Sequence, residues 1–569
     1  MVQATGNGTP QMWMLAGNGR APLATAARRL HQRLSGAQDW LPADVGRALA
    51  GAAPAGNRRA ALVADSPEGF LDLLAALAAG RGAPGLAEGT GDRGPVAFVF
   101  PGQGSQWPGM ASGLAAGSEL FRRRLDECVQ ALEPYLDWSL PEVLRADAGP
   151  GTPGLDRADV VQPALFAVTL SLAALWRGYG VEPAAVLGHS VGEISAAVRR
   201  GADPGRRSPG GGAVEQGAGH AGRARRDDLG HGRPGEVEPR LARWQGRLVL
   251  AAVNGPRSVI VSGDADAAGE LLAEFDRSGV HARRIEVGLA AHSAHIEEIL
   301  PGLRADLAPV RPRPAQLPYY SALTGGLLAE PHLDADYWCR NLRGTVRFEQ
   351  ATRALLRDGH GALLEVSPHT VLTSAMQDCV EADGGRAVVL GTLRRDQGGT
   401  GRFLASLGEL CVHGPTPDWD SVFAGQQSSG AFELPELSGE PGAEPEPESA
   451  EQPDGPSALL TELAGLAPAA RRTALLALVG RELRELTGRT APVAEDGAFL
   501  DLGLDSVTAV ELRNRLATAT QLRLPPTAAF DYPTPAALAG FLGAELFGDR
   551  PDGVAADEPV PGRWTTTRW

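Results

Sequence analysis

Two serines stand in short motifs that suit the transfer of a chemical group. Ser190 lies in Gly188-His189-Ser190-Val191-Gly192, a Gly-x-Ser-x-Gly pattern. This pattern places a serine on a sharp turn between a strand and a helix, with its hydroxyl exposed for nucleophilic attack. Ser506 follows Gly503-Leu504-Asp505 at the predicted start of a helix, where free backbone N–H groups can receive a phosphodiester. The first serine suits the capture of an acyl group, and the second suits a carrier arm.

Short apolar runs predict the elements that position Ser190. Ala184–Leu187 is predicted to be the strand that delivers this serine, and Pro95–Phe100 is predicted to be a second buried strand. The second run leads into the glycine-containing loop Pro101–Gln106, and a helix is predicted to open at Val161–Phe166. Strands alternating with helices favour an α/β body, which we expect to span residues 96–425.

A small β-rich insertion is predicted at about residues 240–300. Its strands are predicted at Leu248–Val253, Ser258–Ser262 and Ala282–Val287, with a helix over Ala265–Phe275. By contrast, residues 1–95 are rich in alanine and arginine and end in glycines. We therefore expect a mostly helical linker region there.

The C-terminal part has a different composition. Residues 426–456 are rich in Gln, Ser, Pro, Gly and acids, which predicts a flexible acidic tether. Residues 465–546 show helical spacing of apolar residues, as at Leu475, Val479 and Leu483, which predicts a small all-α bundle. The tail 547–569 has no evident structural role.

Composition excludes several classes of function. The net charge is −15, with 68 acidic against 53 basic residues, which argues against nucleic acid as the main partner. The four cysteines lack the close pairs of a metal site or redox motif, so we predict core thiols in a reducing cytoplasm. No apolar run suggests a membrane span or a secretion signal. We expect a cytoplasmic protein that binds no metal, no membrane and no nucleic acid.

Several motifs together resemble those of one family. Phe98–Gly104, Gly188–Glu193 and Ala290–Ser293 look like the acyltransferase domain of a modular type I polyketide synthase, and Phe499–Ser506 resembles its acyl carrier protein. No ketosynthase motif precedes the acyltransferase. The chain therefore resembles the acyltransferase–acyl carrier loading didomain of a bacterial synthase of the erythromycin type.

This resemblance implies a fold and a mechanism. It implies an α/β hydrolase-like large subdomain, a ferredoxin-like small subdomain and an all-α four-helix-bundle carrier domain. Ser190 would attack an acyl-CoA thioester with His292 as general base, and backbone N–H groups of Gln103 and Val191 would hold the oxyanion. Ser506 would carry 4′-phosphopantetheine, added by a phosphopantetheinyl transferase, and a downstream ketosynthase would take the acyl group.

The acyl group itself is open to alternatives. By resemblance, Gln162, Leu289, Ala290 and Ala291 would line the substrate pocket, although a helix-start role suits Gln162 equally well. Leu289-Ala290-Ala291 departs from the Tyr-Ala-Ser that resembles methylmalonyl selection, so we expect a neutral starter: acetyl, propionyl or branched. The alternatives are a malonyl or methylmalonyl extender unit, or a carrier-only protein with an inactive acyltransferase. A lipase or esterase also uses Gly-x-Ser-x-Gly, but it needs an acid between serine and histidine and has no carrier domain.

Residues 199–235 break the pattern of the chain. They are mostly Gly, Arg, Pro, Asp and His, with Val214 and Leu229 as the only large aliphatics, so we predict that they cannot pack on the sheet. A disordered insertion is one interpretation. The absence of lysine indicates a GC-rich gene, and the assumed codons GCT GTG GAG CAG for Ala213–Gln216, read one base later, give Leu-Trp-Ser-Arg. We hypothesise two compensating frameshifts. By resemblance, extender enzymes place an arginine here to pair with a carboxylate, whereas the recovered tryptophan favours a neutral starter.

Overall fold

The computed structural model describes residues 8–437 and 463–547, except for 38, 53–55, 146, 148, 150, 199–225, 231–233, 279–281, 288–290, 313–315, 330–331, 488–492, 498, 500–505, 521, 523 and 525–527. The chain divides into two compact units, one of residues 3–446 and one that contains residues 447–569.

The larger unit and the smaller unit contain the following elements. The strands in chain order are β1 Gln11–Gly17, β2 Arg58–Ala64, β3 Leu86–Thr90, β4 Val96–Phe100, β5 Ala185–Gly188, β6 Arg226–Gly230, β7 Leu248–Gly255, β8 Ser258–Gly263, β9 Arg283–Val287, β10 Tyr319–Ser321, β11 Gly326–Leu328, β12 Val346–Arg347, β13 Ala362–Glu365 and β14 Val388–Gly391. The helices are α1 Arg20–Ser35, α2 Pro42–Gly51, α3 Pro67–Ala78, α4 Ser112–Gly117, α5 Glu119–Leu132, α6 Leu140–Val143, α7 Ala158–Gly178, α8 Gly192–Ala197, α9 Pro234–Leu241, α10 Ala265–Arg277, α11 Leu300–Leu307, α12 Ala335–Arg343, α13 Phe348–Arg357, α14 Thr373–Ala382, α15 Thr400–Cys411, α16 Trp419–Val422, α17 Pro468–Thr487, α18 Ser506–Thr520, α19 Ala528–Asp531 and α20 Pro535–Phe547.

The N-terminal region contains a sheet that the sequence did not reveal. Strands β1, β2 and β3 form an antiparallel three-stranded sheet, and α1, α2 and α3 pack beside it. The prediction of a mostly helical region is therefore wrong for these strands. Almost every residue of β1 is buried, so the strand lacks the polar–apolar alternation that would have indicated it. Trp13 of β1 stacks on Phe70 of α3 with ring centroids 3.8 Å apart.

A six-stranded sheet forms the centre of the large subdomain. Its strand order is β11-β10-β5-β4-β13-β14, and all neighbours are parallel except the edge pair β10–β11. Every residue of β4 and β5 is buried, as expected for central strands covered on both faces. The strands predicted at Pro95–Phe100 and Ala184–Leu187 are thus confirmed. They are parallel neighbours, so their carboxyl ends lie at the same edge of the sheet.

Helix α7 packs against the sheet and is apolar on nearly all sides. It is long and apolar enough to cross a membrane, with a mean hydropathy of 1.6, contrary to the prediction that the chain has no such run. However, 78% of that stretch is buried inside the fold. This burial is typical of a core helix, because a helix that is apolar all round needs neighbours on every face.

The small subdomain has the βαββαβ order of a ferredoxin-like fold. Its sheet has the order β12-β7-β8-β6-β9, in which β12 adds in parallel to the four antiparallel strands. Strands β7, β8 and β9 and helix α10 confirm the elements predicted from Leu248 to Val287. The predicted α/β class with a ferredoxin-like small subdomain is confirmed.

One strand of this sheet comes from the anomalous segment. Strand β6, Arg226–Gly230, pairs with both β8 and β9, so this part of residues 199–235 joins a sheet against our prediction. Strand pairing uses backbone N–H and C=O groups, which a polar sequence also has. The subdomain therefore begins at Arg226 rather than near residue 240. Residues 199–225 lie outside the described residues.

The predicted tether begins later than residue 426. Asp44 of α2 accepts hydrogen bonds from the hydroxyls of Ser428 and Ser429 at 2.5 and 2.7 Å. Phe432, Leu434 and Leu437 pack against the apolar core of the N-terminal sheet and its helices. The polar residues around these three side chains obscured the apolar pattern in the sequence. Residues 426–437 thus form a strap on the N-terminal region, and residues 438–456 lie outside the described part.

The smaller unit is a helical bundle, as predicted. Leucines of α17, α18 and α20, including Leu475, Leu512 and Leu542, form its core. Tyr532 stacks on Phe541 of α20 with ring centroids 4.2 Å apart. Phe499 N–H donates to the Pro533 carbonyl at 2.8 Å. The tail beyond residue 547 lies outside the described residues.

Candidate active site

Ser190 occupies a strained turn between β5 and α8. Its φ angle is +54°, in the left-handed region that non-glycine residues rarely adopt. The flanking glycines make this turn possible. A Cβ atom on Gly188 would overlap the backbone of Glu193, and one on Gly192 would overlap the Phe100 carbonyl oxygen. The Gly-x-Ser-x-Gly pattern is thus required by the close approach of α8 to β4 and β5.

His292 lies against Ser190 and is held by a backbone carbonyl. The Ser190 Oγ donates a hydrogen bond to His292 Nε2 at 2.7 Å. On the other side of the ring, His292 Nδ1 donates to the Gly344 carbonyl oxygen at 2.7 Å, and the His292 N–H donates to the Leu342 carbonyl. Because a carbonyl oxygen only accepts, Nδ1 carries the proton and Nε2 is free to accept one. This is the tautomer that a general base for Ser190 requires.

The environment of His292 favours its neutral form. The residue is only 8% exposed, and its φ angle is +61°. Burial lowers the pKa of the imidazole to about 4, while the hydrogen bond to the Gly344 carbonyl opposes this shift. At neutral pH the ring is uncharged and can take a proton from Ser190. Within the described residues no carboxylate contacts His292, so the carbonyl takes the place of an orienting acid.

His189 joins the serine turn to the small subdomain. Its Nε2 lies 2.7 Å from Asn254 Oδ1 on β7, and its ring makes an edge contact with Phe348. Burial lowers the pKa of His189 as well. No hydrogen bond connects its ring to Ser190 among the described residues, so its geometry suits packing and not proton transfer.

The two residues expected to form an oxyanion hole flank Ser190. Val191 follows the serine directly at the start of α8, and Gln103 lies in the loop after β4. The neighbouring Gly102 contacts the serine turn, since a Cβ there would lie 3.6 Å from Ser190 Cβ. Among the hydrogen bonds of the described residues, none is donated by the N–H of Gln103 or Val191. Both amides are therefore available to an oxygen anion.

The structure ties the other predicted site residues less directly to Ser190 and His292. Gln162 is half-buried in the first turns of α7, and no hydrogen bond within the described residues joins it to Ser190 or His292. Ala291 is half-buried directly before His292. Leu289 and Ala290 lie outside the described residues. The structure therefore brings Ser190, His292 and Val191 together and leaves the expected pocket wall undefined.

Ser506 is the first residue of α18, a helix of 15 residues in the smaller unit. The motif Gly503-Leu504-Asp505 before it lies outside the described residues. A serine at this position stands beside backbone N–H groups that have no partner within their own helix. This placement suits a phosphodiester on its hydroxyl.

Sequence reasoning assigned no role to Gly344 or Asn254. Gly344 acts through its carbonyl oxygen, and a backbone acceptor leaves no mark in the residue type. Asn254 lies in a strand that was predicted, but its partner His189 is 65 positions away along the chain. Only the packing of the two subdomains shows that contact.

Family models match both units of the chain. The model described as acyl transferase domain matches residues 97–417, and the model described as phosphopantetheine attachment site matches residues 474–542. The first match covers more than half of the chain and includes both Ser190 and His292. The second includes Ser506.

Curated relatives share this sequence over much of its length. Polyketide synthase GfsB of Streptomyces halstedii is 46% identical over 431 residues, which are 73% of this chain and 8% of the relative. Spectinabilin polyketide synthase system protein NorC of Streptomyces orinoci is 42% identical over 546 residues, which are 89% of this chain and 23% of the relative. The chain therefore spans less than a quarter of the length of these relatives.

Solved structures share the fold. The acyltransferase domain from module 8 of the salinomycin polyketide synthase is 45% identical, with a TM-score of 0.69, over 72% of this chain and 98% of that one. A loading acyltransferase from the avermectin modular polyketide synthase is also 45% identical, with a TM-score of 0.52, over 56% of this chain and 99% of that one.

Proposed function

Because this chain belongs to the acyl transferase domain family of polyketide synthases and carries a phosphopantetheine attachment domain, we propose that it loads a small acyl group onto its own carrier. The acyl group comes from acyl-CoA, forms an ester on Ser190 and is passed to the arm on Ser506. The proposal concerns the activity of this chain. It includes the proposal that the chain acts within a longer synthase.

The chemistry follows from the pair Ser190 and His292. His292 Nε2 takes the proton of Ser190 Oγ as that oxygen attacks the thioester carbonyl. The resulting oxyanion lies against the N–H groups of Gln103 and Val191. His292 then returns the proton to the departing CoA thiolate. In the second half-reaction His292 takes the proton of the incoming thiol, and Ser190 is released with its proton.

The carrier cofactor fits the smaller unit. 4′-Phosphopantetheine supplies a thiol that accepts the acyl group as a thioester. Ser506 is the first residue of α18, and the first N–H groups of a helix have no partner within that helix, which suits a phosphodiester at this position. A phosphopantetheinyl transferase is the partner that this attachment requires.

One observation carries the proposal: the 2.7 Å hydrogen bond from Ser190 to a neutral, buried imidazole that is oriented by a carbonyl. This pair also argues against a carrier-only protein with an inactive acyltransferase, because both groups have the geometry and the protonation that acylation needs. The four cysteines are all buried and free, in keeping with a cytoplasmic protein.

For the acyl group, we propose a neutral starter such as acetyl, propionyl or a branched chain. The support is Leu289-Ala290-Ala291 before His292 and the tryptophan in the shifted reading of residues 213–216. Loading of malonyl or methylmalonyl is the second candidate, because the sequence identity is 45% both to the module 8 salinomycin domain and to the avermectin loading domain.

Peptide mass spectrometry tests the proposal. The purified chain is incubated with equal amounts of acetyl-, propionyl-, isobutyryl-, malonyl- and methylmalonyl-CoA, and the peptide that contains Ser190 is weighed. A neutral acyl mass on this peptide supports starter loading. A carboxyacyl mass supports the extender alternative, and an unmodified Ser190 contradicts the acyltransferase activity.

A further inference from the structure

A buried carboxylate stands three residues after the proposed nucleophile and takes no part in the proposed chemistry. Glu193 lies in the first turn of α8, is 0% exposed, and its N–H donates to the Ser190 carbonyl at 3.0 Å. A carboxylate with no access to water is costly unless its oxygens are well partnered. The buried Glu193 carboxylate therefore needs a structural or functional explanation.

The partners of Glu193 come from two other elements. Its Oε2 accepts hydrogen bonds from the hydroxyl of Tyr319 on β10, at 2.9 Å, and from the hydroxyl of Tyr337 on α12. Its Oε1 accepts from the Leu323 N–H at 3.0 Å. Tyr337 is also bonded to Ser321 of β10 at 2.7 Å. Within the described residues no arginine or histidine contacts this carboxylate, so neutral donors alone hold it.

Helix α12 connects this cluster to the general base. Tyr337 lies in its first half, and its C-terminal end provides the carbonyls of Leu342 and, just beyond it, Gly344 that hold His292. Tyr337 and these carbonyls lie within one short helix or directly after it, so we expect that anchoring Tyr337 restrains the carbonyls that hold His292. A second connection runs through Leu323, because a Cβ on Gly344 would lie only 2.9 Å from Leu323 Cδ1.

We infer that Glu193 is a positioning residue: its carboxylate ties the helix that follows Ser190 to the helix that orients His292, and so keeps the two groups in register. The inference rests on the proposed pair of nucleophile and base. It does not depend on which acyl group is loaded. The register matters because a displacement of about 1 Å between reacting groups costs about 100-fold in rate.

Burial agrees with this role. It raises the pKa of Glu193 to about 7, against the opposing effect of the hydrogen bonds from Tyr337 and Tyr319. It also raises the pKa of Tyr337, so the phenol stays protonated and remains a donor. Hydrogen bonds from neutral donors, and not an ion pair, therefore hold this cluster together.

The chain offers a matched control for the tyrosine contacts. Tyr320 is the next residue of β10 after Tyr319, but its hydroxyl donates to Asp358, away from Glu193. Tyr320→Phe and Tyr337→Phe each remove one phenol that is bonded to a carboxylate. Only the second change touches the connection between Ser190 and His292.

The experiment measures how fast Ser190 reacts with a fluorophosphonate, by mass spectrometry of the full chain, alongside thermal unfolding. We expect Glu193→Gln and Tyr337→Phe to lower the labelling rate by about 10- to 100-fold. We expect Tyr320→Phe to leave that rate unchanged and to cost less stability than Tyr337→Phe, because Asp358 is exposed and water can replace the lost donor. The double variant Glu193→Gln/Tyr337→Phe should label no more slowly than the slower single variant, because both break the same connection.

Two results would overturn the inference. One is an equal loss of labelling in Tyr337→Phe and Tyr320→Phe, which would mean that only stability is at stake. The other is an unchanged labelling rate in Glu193→Gln with an intact fold. Since labelling needs no acyl-CoA, a failure of acyl transfer in the unaltered protein would contradict the proposed function alone, and the comparison would still decide the role of Glu193.

Discussion

The burial of His292 makes a quantitative prediction about pH. The pKa of its imidazole is lowered from 6.5 to about 4, a displacement that corresponds to about 3 kcal/mol in favour of the neutral ring. The neutral ring is the base, so the part of the acylation rate that depends on His292 is lost as pH falls through the lowered pKa. At pH 5.5 a group with a pKa of about 4 is about 97% neutral, whereas an ordinary histidine is about 9% neutral.

The assay follows the rate of Ser190 acylation by acyl-CoA in quenched single-turnover reactions between pH 5 and pH 8. In Glu193→Gln, which has no carboxylate to titrate at position 193, we expect the rate at pH 5.5 to stay within about 10% of the plateau value. In the unaltered protein the pKa of Glu193 is about 7, so protonation of this carboxylate adds a fall in rate near pH 7 that Glu193→Gln lacks; each protein is compared with its own plateau. A rate that halves between pH 6 and pH 7 in both proteins would refute the reasoning, because it would show His292 titrating as an exposed imidazole.

Three further predictions concern the elbow, the carrier and the strap. Gly192→Ala places a Cβ on the Phe100 carbonyl oxygen, so fluorophosphonate labelling of the nucleophile should fall about 100-fold; labelling at the original rate would contradict the geometry of the turn. Ser506→Ala should abolish the mass gain from a phosphopantetheinyl transferase and leave acylation of the nucleophile intact, and a mass gain that persists would place the arm elsewhere. Asp44→Ala removes the acceptor of Ser428, so proteolytic cleavage within residues 426–437 should be roughly tenfold faster; unchanged cleavage would mean that the apolar contacts alone hold the strap.

The chemistry of the site was predictable from sequence to the extent that side chains supply it. Ser190 and His292 stand in local motifs, and the structure places their reacting atoms 2.7 Å apart. Which backbone carbonyl orients His292 was not predictable, because a main-chain acceptor such as that of Gly344 leaves no mark in the residue type. The cluster around Glu193 was equally hidden, since its donors come from β10 and α12, more than 120 positions away along the chain.

The fold was predictable where local patterns agree with packing. Strands β4 and β5 appear as short apolar runs bounded by turns, and the predicted bounds differ from the observed ones by one residue. Strand β1 was missed because burial along its length removes the alternation of period two. Strand β6 was missed because its sequence, Arg-Asp-Asp-Leu-Gly, has little preference for a strand and is held by pairing on both sides.

Transfer through an ester on Ser190 is the central claim, and a comparison of two proteins tests it most directly. The phosphopantetheinylated chain and its Ser190→Ala variant are mixed with acyl-CoA, and the peptides that contain residues 190 and 506 are weighed over time. We predict acyl mass on Ser190 first and on the Ser506 arm afterwards in the unaltered protein, and none on either peptide in the variant. Acylation of the Ser506 arm at the same rate in both proteins would contradict the account.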